Sequence, residues 1–119
     1  MSDFLKWGIY RASLDPVIGS EQGKSRPVLI ISENELNELV NTVNILPITS
    51  LKPGRHIYPN EVLLPNQEVS IDNDSIVLCH QIRTIDKIRL TKFYGIVESF
   101  NVKREVLEAL SFQLGIELK

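Results

Sequence analysis

The residues with the most obvious capacity for chemistry lie in one polar loop, G-S-E-Q-G-K-S-R-P, at residues 19–27. Its G-K-S ending is shared with nucleotide-binding P-loops, but that motif needs four residues between its glycines and must open a helix. Here three residues separate Gly19 from Gly23, and the loop runs into the apolar segment P-V-L-I-I. The sequence therefore excludes P-loop chemistry.

Arg26 closes this loop and lies next to Pro27, where the apolar segment begins. A guanidinium at a rigid anchor suits phosphate, because its planar fork can donate to two oxygens at once. The same spacing equally allows an ion pair between Arg26 and Glu21. Arg26 is therefore a candidate phosphate ligand, and the ion pair is its structural alternative.

A second candidate group lies where the segment L-P-I-T-S (46–50) gives way to a basic loop. Thr49 and Ser50 would end a strand there, and such hydroxyls either donate to a ligand or make local turn bonds. His56 in the loop is either a solvated side chain or a ligand contact. The loop also supplies Lys52 and Arg55.

A third group lies in L-C-H-Q-I-R-T-I-D-K-I-R-L, residues 78–90. Histidine is the side-chain type whose unperturbed pKa lies closest to neutrality, so His80 is a candidate acid or base, although a histidine beside an apolar strand is also commonly structural. Arg83 could form a turn-stabilising ion pair with Asp86. Cys79 lies among apolar residues, which predicts burial rather than nucleophilic chemistry.

Other catalytic classes lack their motifs. Two histidines and one cysteine, far apart in sequence, give no zinc spacing, and no G-x-S-x-G surrounds a serine. Neither a metal nor another cofactor is therefore expected. No apolar run approaches the roughly 20 residues of a membrane span. A single cysteine cannot form an internal disulfide, which fits a reducing cytoplasm.

Length and charge limit the fold and the partners. At 119 residues the chain is expected to form one domain, 1–119, because two halves would each be too small to fold readily. A net charge of −2 argues against non-specific coating of nucleic acid. Cations nevertheless cluster around residues 24–26, 52–56 and 83–92. If folding brings these stretches together, an acidic protein carries a cationic groove.

Strand-like segments dominate the chain. The run P-V-L-I-I is almost continuously apolar, which is typical of a strand buried on both faces. Several short strands followed by a helix predict a mainly β fold with a C-terminal helix, in which a strongly bent sheet closes into a barrel. The predicted strands cover residues 7–14, 27–31, 42–49, 61–64, 75–82 and 93–97.

A short helix is expected after the second strand. Ser32 and Glu35 form the S-x-x-E pattern of a capping box. The inward stripe of this helix would consist of Leu36, Leu39 and Val40.

The C-terminal segment has the pattern of a longer helix. Asn101 can cap its beginning and Gly115 can close its end. Phe112 and Leu118 would remain exposed for a partner. The apolar residues that repeat at four-residue spacing are Val102, Val106, Leu110 and Leu114.

Several of these segments together carry a family resemblance. They are W-G-I-Y-R-A-S-L-D-P at 7–16, G-S-E-Q-G-K-S-R-P-V-L-I-I-S at 19–32, L-P-I-T-S at 46–50, Q-I-R-T-I-D-K-I-R-L at 81–90 and G-I-V at 95–97. In this order they resemble the MazF/PemK family of bacterial toxins, and the combination of E-Q-G-x-x-R-P with Q-I-R-T-I-D-K is specific. The resemblance implies an SH3-like barrel of the MazF/CcdB toxin type that usually forms a homodimer.

The resemblance also implies an activity. Such toxins are sequence-specific endoribonucleases that cut single-stranded mRNA without metal, inhibit translation and growth, and are neutralised by a cognate MazE-like antitoxin. The implied products carry a 2′,3′-cyclic phosphate or 3′-phosphate and a 5′-hydroxyl. RNA contains its own nucleophile, the 2′-hydroxyl, so the protein needs only to align it, move protons and stabilise negative charge.

Site residues follow by resemblance at matching positions. Arg26 matches the family's loop arginine at the scissile phosphate, where it would stabilise the transition state and assist proton transfer. Thr49 matches a strand-end threonine that donates to the same phosphate, supported by Ser50. Glu21 and Gln81 match RNA-contacting or loop-ordering positions. The other expected RNA contacts are Gln22, Lys24, Lys52, Arg55, His56 and Arg83.

Two positions depart from the family pattern. The position before the glutamine is commonly acidic, and some members carry an arginine two positions earlier. Here those positions hold His80 and Leu78. A mechanism that uses the arginine and acid therefore cannot transfer, and His80 becomes the candidate acid or base in place of the carboxylate.

Two other functions remain compatible with a small barrel. A CcdB-like DNA gyrase poison is expected to depend on C-terminal residues, typically an aromatic, whereas this sequence finishes G-I-E-L-K. A non-catalytic RNA-binding SH3-like module would use the same groove as a nuclease. Substitution of Arg26 distinguishes the binding module from the nuclease, because in a nuclease it would abolish cleavage and only weaken RNA binding.

Overall fold

The computed structural model describes residues 4–117. Within them, strands dominate and a long helix follows the last strand. Three short 3-10 turns cover Asn66–Glu68, Cys79–Gln81 and Lys87–Arg89. The strands and helices are β1 (Gly8–Ser13), β2 (Ser25–Ile30), α1 (Asn34–Leu39), β3 (Thr42–Ser50), β4 (Glu61–Leu64), β5 (Ser75–Leu78), β6 (Arg83–Asp86), β7 (Leu90–Ile96) and α2 (Phe100–Leu114).

The strands form one antiparallel sheet in the order β4-β5-β3-β2-β1-β7. β3 is the longest strand and pairs with β2 along one edge, while β5 and β6 follow one another along its other edge. In the described part of the chain the ladder stays open between β4 and β7. A single bond from the Ser70 N–H to the Tyr94 carbonyl, at 2.9 Å, links the segment after β4 to β7. The predicted mainly β fold with a C-terminal helix is confirmed, whereas the predicted closure into a barrel is not completed by strand pairing within residues 4–117.

Alternate side chains of the sheet form two apolar clusters, because successive residues of a strand point to opposite faces. All of the segment 28–30 in β2 is buried, as its apolar run predicts. Each such side chain contributes about 1.5–3 kcal/mol when it leaves water. One cluster, which α2 covers, includes Ile9, Leu29 and Leu46. The other includes Tyr10, Val28 and Ile45.

The predicted strand over residues 75–82 is wrong in its second half. β5 ends at Leu78, a 3-10 turn covers Cys79–Gln81, and β6 begins at Arg83. The cause is the shared edge of β3, whose two ends pair with β5 and β6 and leave the chain to turn between them. His80 therefore lies on a turn rather than within a strand.

The inward stripe predicted for α1 is also wrong. Leu36 and Leu39 are 53% and 78% exposed, and Val40 is exposed as well. The buried residue of this helix is Asn37, whose amide oxygen accepts from the Ser32 hydroxyl at 2.5 Å. The Ser32 hydroxyl accepts the Asn44 N–H at 3.1 Å instead of an N–H of α1, so it makes no capping box. The N-cap residue of α1 is Glu33, which has no side-chain cap bond.

Helix α2 begins at a different cap from the one predicted. The Ser99 hydroxyl, rather than Asn101, accepts the Val102 N–H at 3.2 Å. Gly115 closes the helix in the left-handed conformation, as predicted, with φ of 68°. Phe112 is exposed as expected, whereas Leu118 lies outside the described residues. The residues that α2 buries are Val102, Val106 and Ala109, while Leu114 is half exposed.

No helix within residues 4–117 combines the length and the apolar composition needed to cross a membrane.

Candidate functional site

Three adjoining cavities form a groove across the ends of β1, β2 and β3. The first, of about 430 Å³, contains Gln22, Thr49 and His80 in its walls. The second, of about 300 Å³, is lined by Arg26 and again by Thr49. The third, of about 380 Å³, lies on the side of β7. Ser50 lines all three, so the groove is continuous around the end of β3.

Arg26 is held in the groove by its own loop. Its Nε donates to the Gly23 carbonyl at 2.7 Å. The Gln22 side-chain oxygen, oriented to satisfy its neighbours, accepts from Nη1 at 2.6 Å and from Nη2 at 3.3 Å. A guanidinium has five N–H donors, so donors remain for a ligand. The alternative partner Glu21 instead accepts the Ile18 N–H at 2.5 Å.

Burial is the main cause that lowers the pKa of Arg26 below its ordinary value. The positive charge of Arg11 lowers it further, and Asp15 partly opposes these effects. Guanidinium groups nevertheless keep their proton in proteins. The lowered pKa therefore indicates a cation that lacks full compensation by neighbouring carboxylates and is suited to an anionic ligand.

The loop before Arg26 has a defined shape because its backbone is packed against its own beginning. The Asp15 carboxylate accepts the Lys24 N–H at 2.8 Å, and Lys24 has a positive φ of 64°. A Cβ at Gly23 would lie 2.7 Å from that carboxylate oxygen and 2.8 Å from Val17. A larger residue at this position would therefore force the side chains of Asp15 and Val17 to move.

Gln81 clamps the same loop from across the groove. Its side-chain oxygen accepts the Gln22 N–H at 3.2 Å, and its amide nitrogen donates to the Ser20 carbonyl at 3.2 Å. The base of the loop is held by two further cations: Arg83 donates to the Leu14 carbonyl, and Arg89 donates to those of Ser13 and Asp15. The segments 19–27 and 81–90 are thus one structural unit.

Replacing Gln81 with methionine is expected to loosen the loop without unfolding the protein. Two hydrogen bonds of about 1 kcal/mol each are lost, so amide exchange at Gln22 should accelerate by roughly tenfold or more. Hydrogen–deuterium exchange read out by NMR measures this directly. Gln113→Met on α2, which loses one bond to Asn60, is the matched control. An unchanged exchange rate at Gln22 would show that Gln81 does not order the loop.

On the other wall of the first cavity, a buried carboxylate anchors the basic loop. Glu61 is 8% exposed and accepts two N–H groups of Arg55 at 2.8 Å each. The Tyr58 N–H donates to the same carboxylate at 3.0 Å. The bond to Arg55 is the main cause that lowers the pKa of Glu61 and raises that of Arg55. His56 stacks edge-on against Tyr58, with centroids 4.6 Å apart.

The turn Cys79–Gln81 gives its residues opposite surroundings. His80 is exposed and lines the first cavity. Cys79 is fully buried, and burial raises the pKa of its thiol to about 12. A thiol with this pKa is a poor nucleophile near neutral pH. The prediction that Cys79 is structural is therefore confirmed, and the histidine is left as the titratable group of this turn that faces the groove.

No group of three or more His, Cys, Asp or Glu side chains that could hold a metal ion occurs within residues 4–117.

Comparison with known proteins identifies the family. The sequence profile of the PemK-like, MazF-like toxins of type II toxin–antitoxin systems matches residues 6–114. The chain belongs to this toxin family. It is also 37% identical to the endoribonuclease MazF of Staphylococcus saprophyticus over 108 residues, which are 91% of this chain and 88% of that protein.

Solved structures agree with this membership in the toxin family. MazF from Deinococcus radiodurans is 27% identical, with a TM-score of 0.77 over 93% of this chain and 96% of that one. A MazE–MazF crystal structure from the same organism is 27% identical, with a TM-score of 0.71 over 95% of this chain and 96% of that one. The resemblance to the MazF/PemK family is thereby confirmed along nearly the whole chain.

In this MazF-like toxin, the groove collects most of the residues singled out from the sequence. Glu21 and Lys24 lie on the loop outside the groove walls, and His56 packs on Tyr58. Arg83 donates to the Leu14 carbonyl at the base of the loop instead of forming the expected ion pair with Asp86. Those that line the groove are Gln22, Arg26, Thr49, Ser50, Lys52, Arg55, His80 and Gln81.

Several residues that shape the groove are not among the candidates from the sequence. One is Glu61, although a lone charge opening the apolar strand E-V-L-L is a signal of a paired buried group. Nothing in the local sequence marks Arg11 or Tyr94, because β1 and β7 meet only in the fold. Among the cations of residues 83–92, only Lys92 lines the groove.

Proposed function

We propose that this toxin is a sequence-specific, metal-independent endoribonuclease that cleaves single-stranded mRNA in the cytoplasm. The observation that carries the proposal is that Arg26 and Thr49 line one cavity of an open, cation-lined groove. The name of the Staphylococcus relative, an endoribonuclease, supports it. No cofactor is needed, because the RNA supplies the nucleophile.

The proposed reaction is attack by the 2′-hydroxyl on the adjacent phosphorus. The O2′–P bond forms and the P–O5′ bond breaks, which gives a 2′,3′-cyclic phosphate and a 5′-hydroxyl. A base takes the proton from the 2′-hydroxyl and an acid supplies one to O5′. Addition of water to the cyclic product then gives a 3′-phosphate.

Arg26 and Thr49 are assigned to the phosphate. The guanidinium neutralises charge that builds up on the equatorial oxygens in the transition state, and the threonine hydroxyl donates to one of them. Ser50, next along the strand, supports this contact. Thr49 lines both the first and second cavities, so a phosphate beside it lies where the cavity of Arg26 meets that of His80. The imidazole of His80 is then the candidate acid or base for the attacking or leaving oxygen.

The groove suits an unpaired strand. An A-form duplex hides its base edges in a deep, narrow groove that side chains cannot read, whereas a single strand exposes them. Lys52 supplies positive charge, and Gln22 and Gln81 supply amide groups that can pair with base edges. Arg55 is paired with Glu61, which largely compensates its charge, so Arg55 contributes an ordered donor rather than net positive charge.

The biological role follows from the family. Cleavage of mRNA stops translation and growth, and a cognate MazE-like antitoxin neutralises the toxin. An acidic, partly disordered antitoxin segment can fold along the cationic groove and exclude RNA. Large apolar side chains exposed on α2, at Phe100, Leu107 and Phe112, support a homodimer. Light scattering of the purified toxin tests the homodimer.

The test of the proposed function uses purified protein and a long single-stranded RNA in EDTA, followed by sequencing of the new 5′ ends. We expect discrete cuts at one short motif, and none with Arg26→Ala. Absence of cutting by well-folded protein would sink the proposal and leave a gyrase poison or a non-catalytic RNA-binding module. Inhibition of gyrase supercoiling and a gel-shift assay with RNA distinguish these two.

Replacing His80 with alanine is expected to lower kcat by about 100-fold, which is the low end for loss of a general acid or base. The pH profile is the decisive measurement, because one of its limbs should disappear with the imidazole. If His80 only shaped the turn, the rate would fall equally at every pH. An unchanged profile would therefore remove His80 from the mechanism.

A further inference from the structure

The third cavity of the groove contains a second pair of cations, away from Arg26. Arg11 on β1 and Lys92 on β7 both lie against the ring of Tyr94, with Cζ of Arg11 5.9 Å and Nζ of Lys92 5.2 Å from its centroid. Arg11 also donates to the Tyr94 hydroxyl at 2.7 Å and to the Ser25 hydroxyl at 3.1 Å. The two positive charges therefore face one polar cavity.

A β-bulge between β1 and β7 determines the direction of these side chains. Between β1 and β7 the register shifts from Tyr10 opposite Phe93 to Ala12 opposite Leu90. Arg11 thus faces two residues of β7 instead of one, and the Thr91 hydroxyl donates to its carbonyl at 3.3 Å. Bulges of this kind commonly re-aim a side chain near a functional site.

The cavity continues the path of the groove. Ser50 and Pro27 line it together with the cavity of Arg26. Arg11 is also close enough to Arg26 that its charge lowers the pKa of the latter. Arg11 and Arg26 are therefore two like charges in adjoining cavities, and an anion bound between them would be favoured by both.

We propose that Arg11 and Lys92 form a second phosphate subsite, which binds the backbone phosphate next to the scissile one in the same RNA strand. The inference rests on the proposed function and names a positioning site for its substrate. The same cavity is also lined by Asp72 and Asn73, which suit the hydroxyl and amine groups of a nucleoside and repel a further anion. The subsite therefore takes one nucleotide with its phosphate turned towards β1 and β7.

The subsite is tested with RNA substrates that differ at one phosphate. One is a short RNA with the motif that the wild-type protein cuts, and the others carry a neutral methylphosphonate in place of the phosphate on either side of the scissile one. The methylphosphonate on one side is expected to lower kcat/KM of the wild type by roughly fivefold, as for one exposed phosphate contact. Lys92→Met should cut the unsubstituted RNA about fivefold more slowly than the wild type and should no longer respond to that methylphosphonate.

Salt dependence supplies a second readout. Loss of one phosphate contact on a single strand should reduce the slope of log KM against log salt by about 0.7. Arg104→Met, which removes an exposed cation from α2, is the control and should keep the wild-type slope. Arg11→Met should reproduce the Lys92→Met pattern, provided that its circular dichroism spectrum is native.

The outcomes separate the subsite from the activity itself. If Lys92→Met and wild type respond equally to the methylphosphonate and keep the same salt slope, the subsite proposal is wrong while the nuclease stands. If the wild type cuts no RNA, the proposed function fails and the subsite proposal fails with it. A methylphosphonate effect that is lost in Lys92→Met, together with the smaller slope, supports the subsite.

Discussion

Replacing Arg26 with alanine is expected to lower kcat for RNA cleavage by about 1000-fold, the upper range for loss of one oxyanion donor. The reason is that this cation is partly buried, held by Gly23 and Gln22, and left with donors that face the groove. RNA binding should weaken less, because Lys52 and the other groove cations remain. Single-turnover cleavage measures kcat, and fluorescence anisotropy measures binding.

Arg26→Lys and Arg104→Ala are the matched controls. Lysine keeps the charge but loses the planar fork, so Arg26→Lys should recover only a small part of the rate. Arg104 is exposed on α2 and pairs with Glu108, so its replacement should leave the rate unchanged. An Arg26→Ala protein that folds normally and cuts RNA within tenfold of wild type would contradict the assignment of Arg26 to the phosphate.

Many candidate residues of the site could be predicted because they lie in short segments whose residue types suggest their chemistry. An arginine at the junction of a polar loop and a buried strand marks Arg26 as a candidate phosphate ligand, and hydroxyls at the end of a strand mark Thr49 and Ser50 as candidates. The choice of a phosphate role over a structural one comes from the family resemblance and stays a prediction. That Gln81 clamps the loop could not be read from spacing, because a contact between residues 20–22 and 81 depends on how the strands pair.

The prediction failed where tertiary pairing overrides local pattern. Residues 75–82 resemble one strand, yet β5 and β6 pair with different parts of the same edge of β3, and the chain turns between them at Cys79–Gln81. In α1 the apolar spacing suggested an inward stripe, but Asn37 takes the buried position because its amide can satisfy the Ser32 hydroxyl and carbonyl. Periodicity cannot reveal a buried polar network of this kind.

The largest effect on stability is expected at Glu61, which lies on the wall of the groove and was not singled out from the sequence. Its carboxylate is almost fully buried and has three N–H donors, two of them from Arg55. Replacing it with glutamine removes the charge that Arg55 faces. We expect a loss of about 2–3 kcal/mol in the free energy of unfolding, which is a fall in Tm of roughly 10 °C for a domain of this size.

The pH dependence of this loss tests its cause. The pKa of Glu61 is lowered in the folded protein, so the stability it contributes is fully present above its unfolded pKa, about 4.5. That contribution disappears as the pH falls through the lowered folded value. The difference in unfolding free energy between wild type and Glu61→Gln, measured by urea denaturation, should therefore shrink as the pH falls below about 5.

Arg55 supplies the matched partner for this measurement. Arg55→Met alone leaves a buried carboxylate without its cation, so it should destabilise the protein by at least as much as Glu61→Gln. Arg55→Met combined with Glu61→Met should recover part of that loss, because no charge is then left unpaired. A stability gap for Glu61→Gln that stays constant from pH 7 to pH 3 would mean that shape, rather than charge, makes this carboxylate important to the groove.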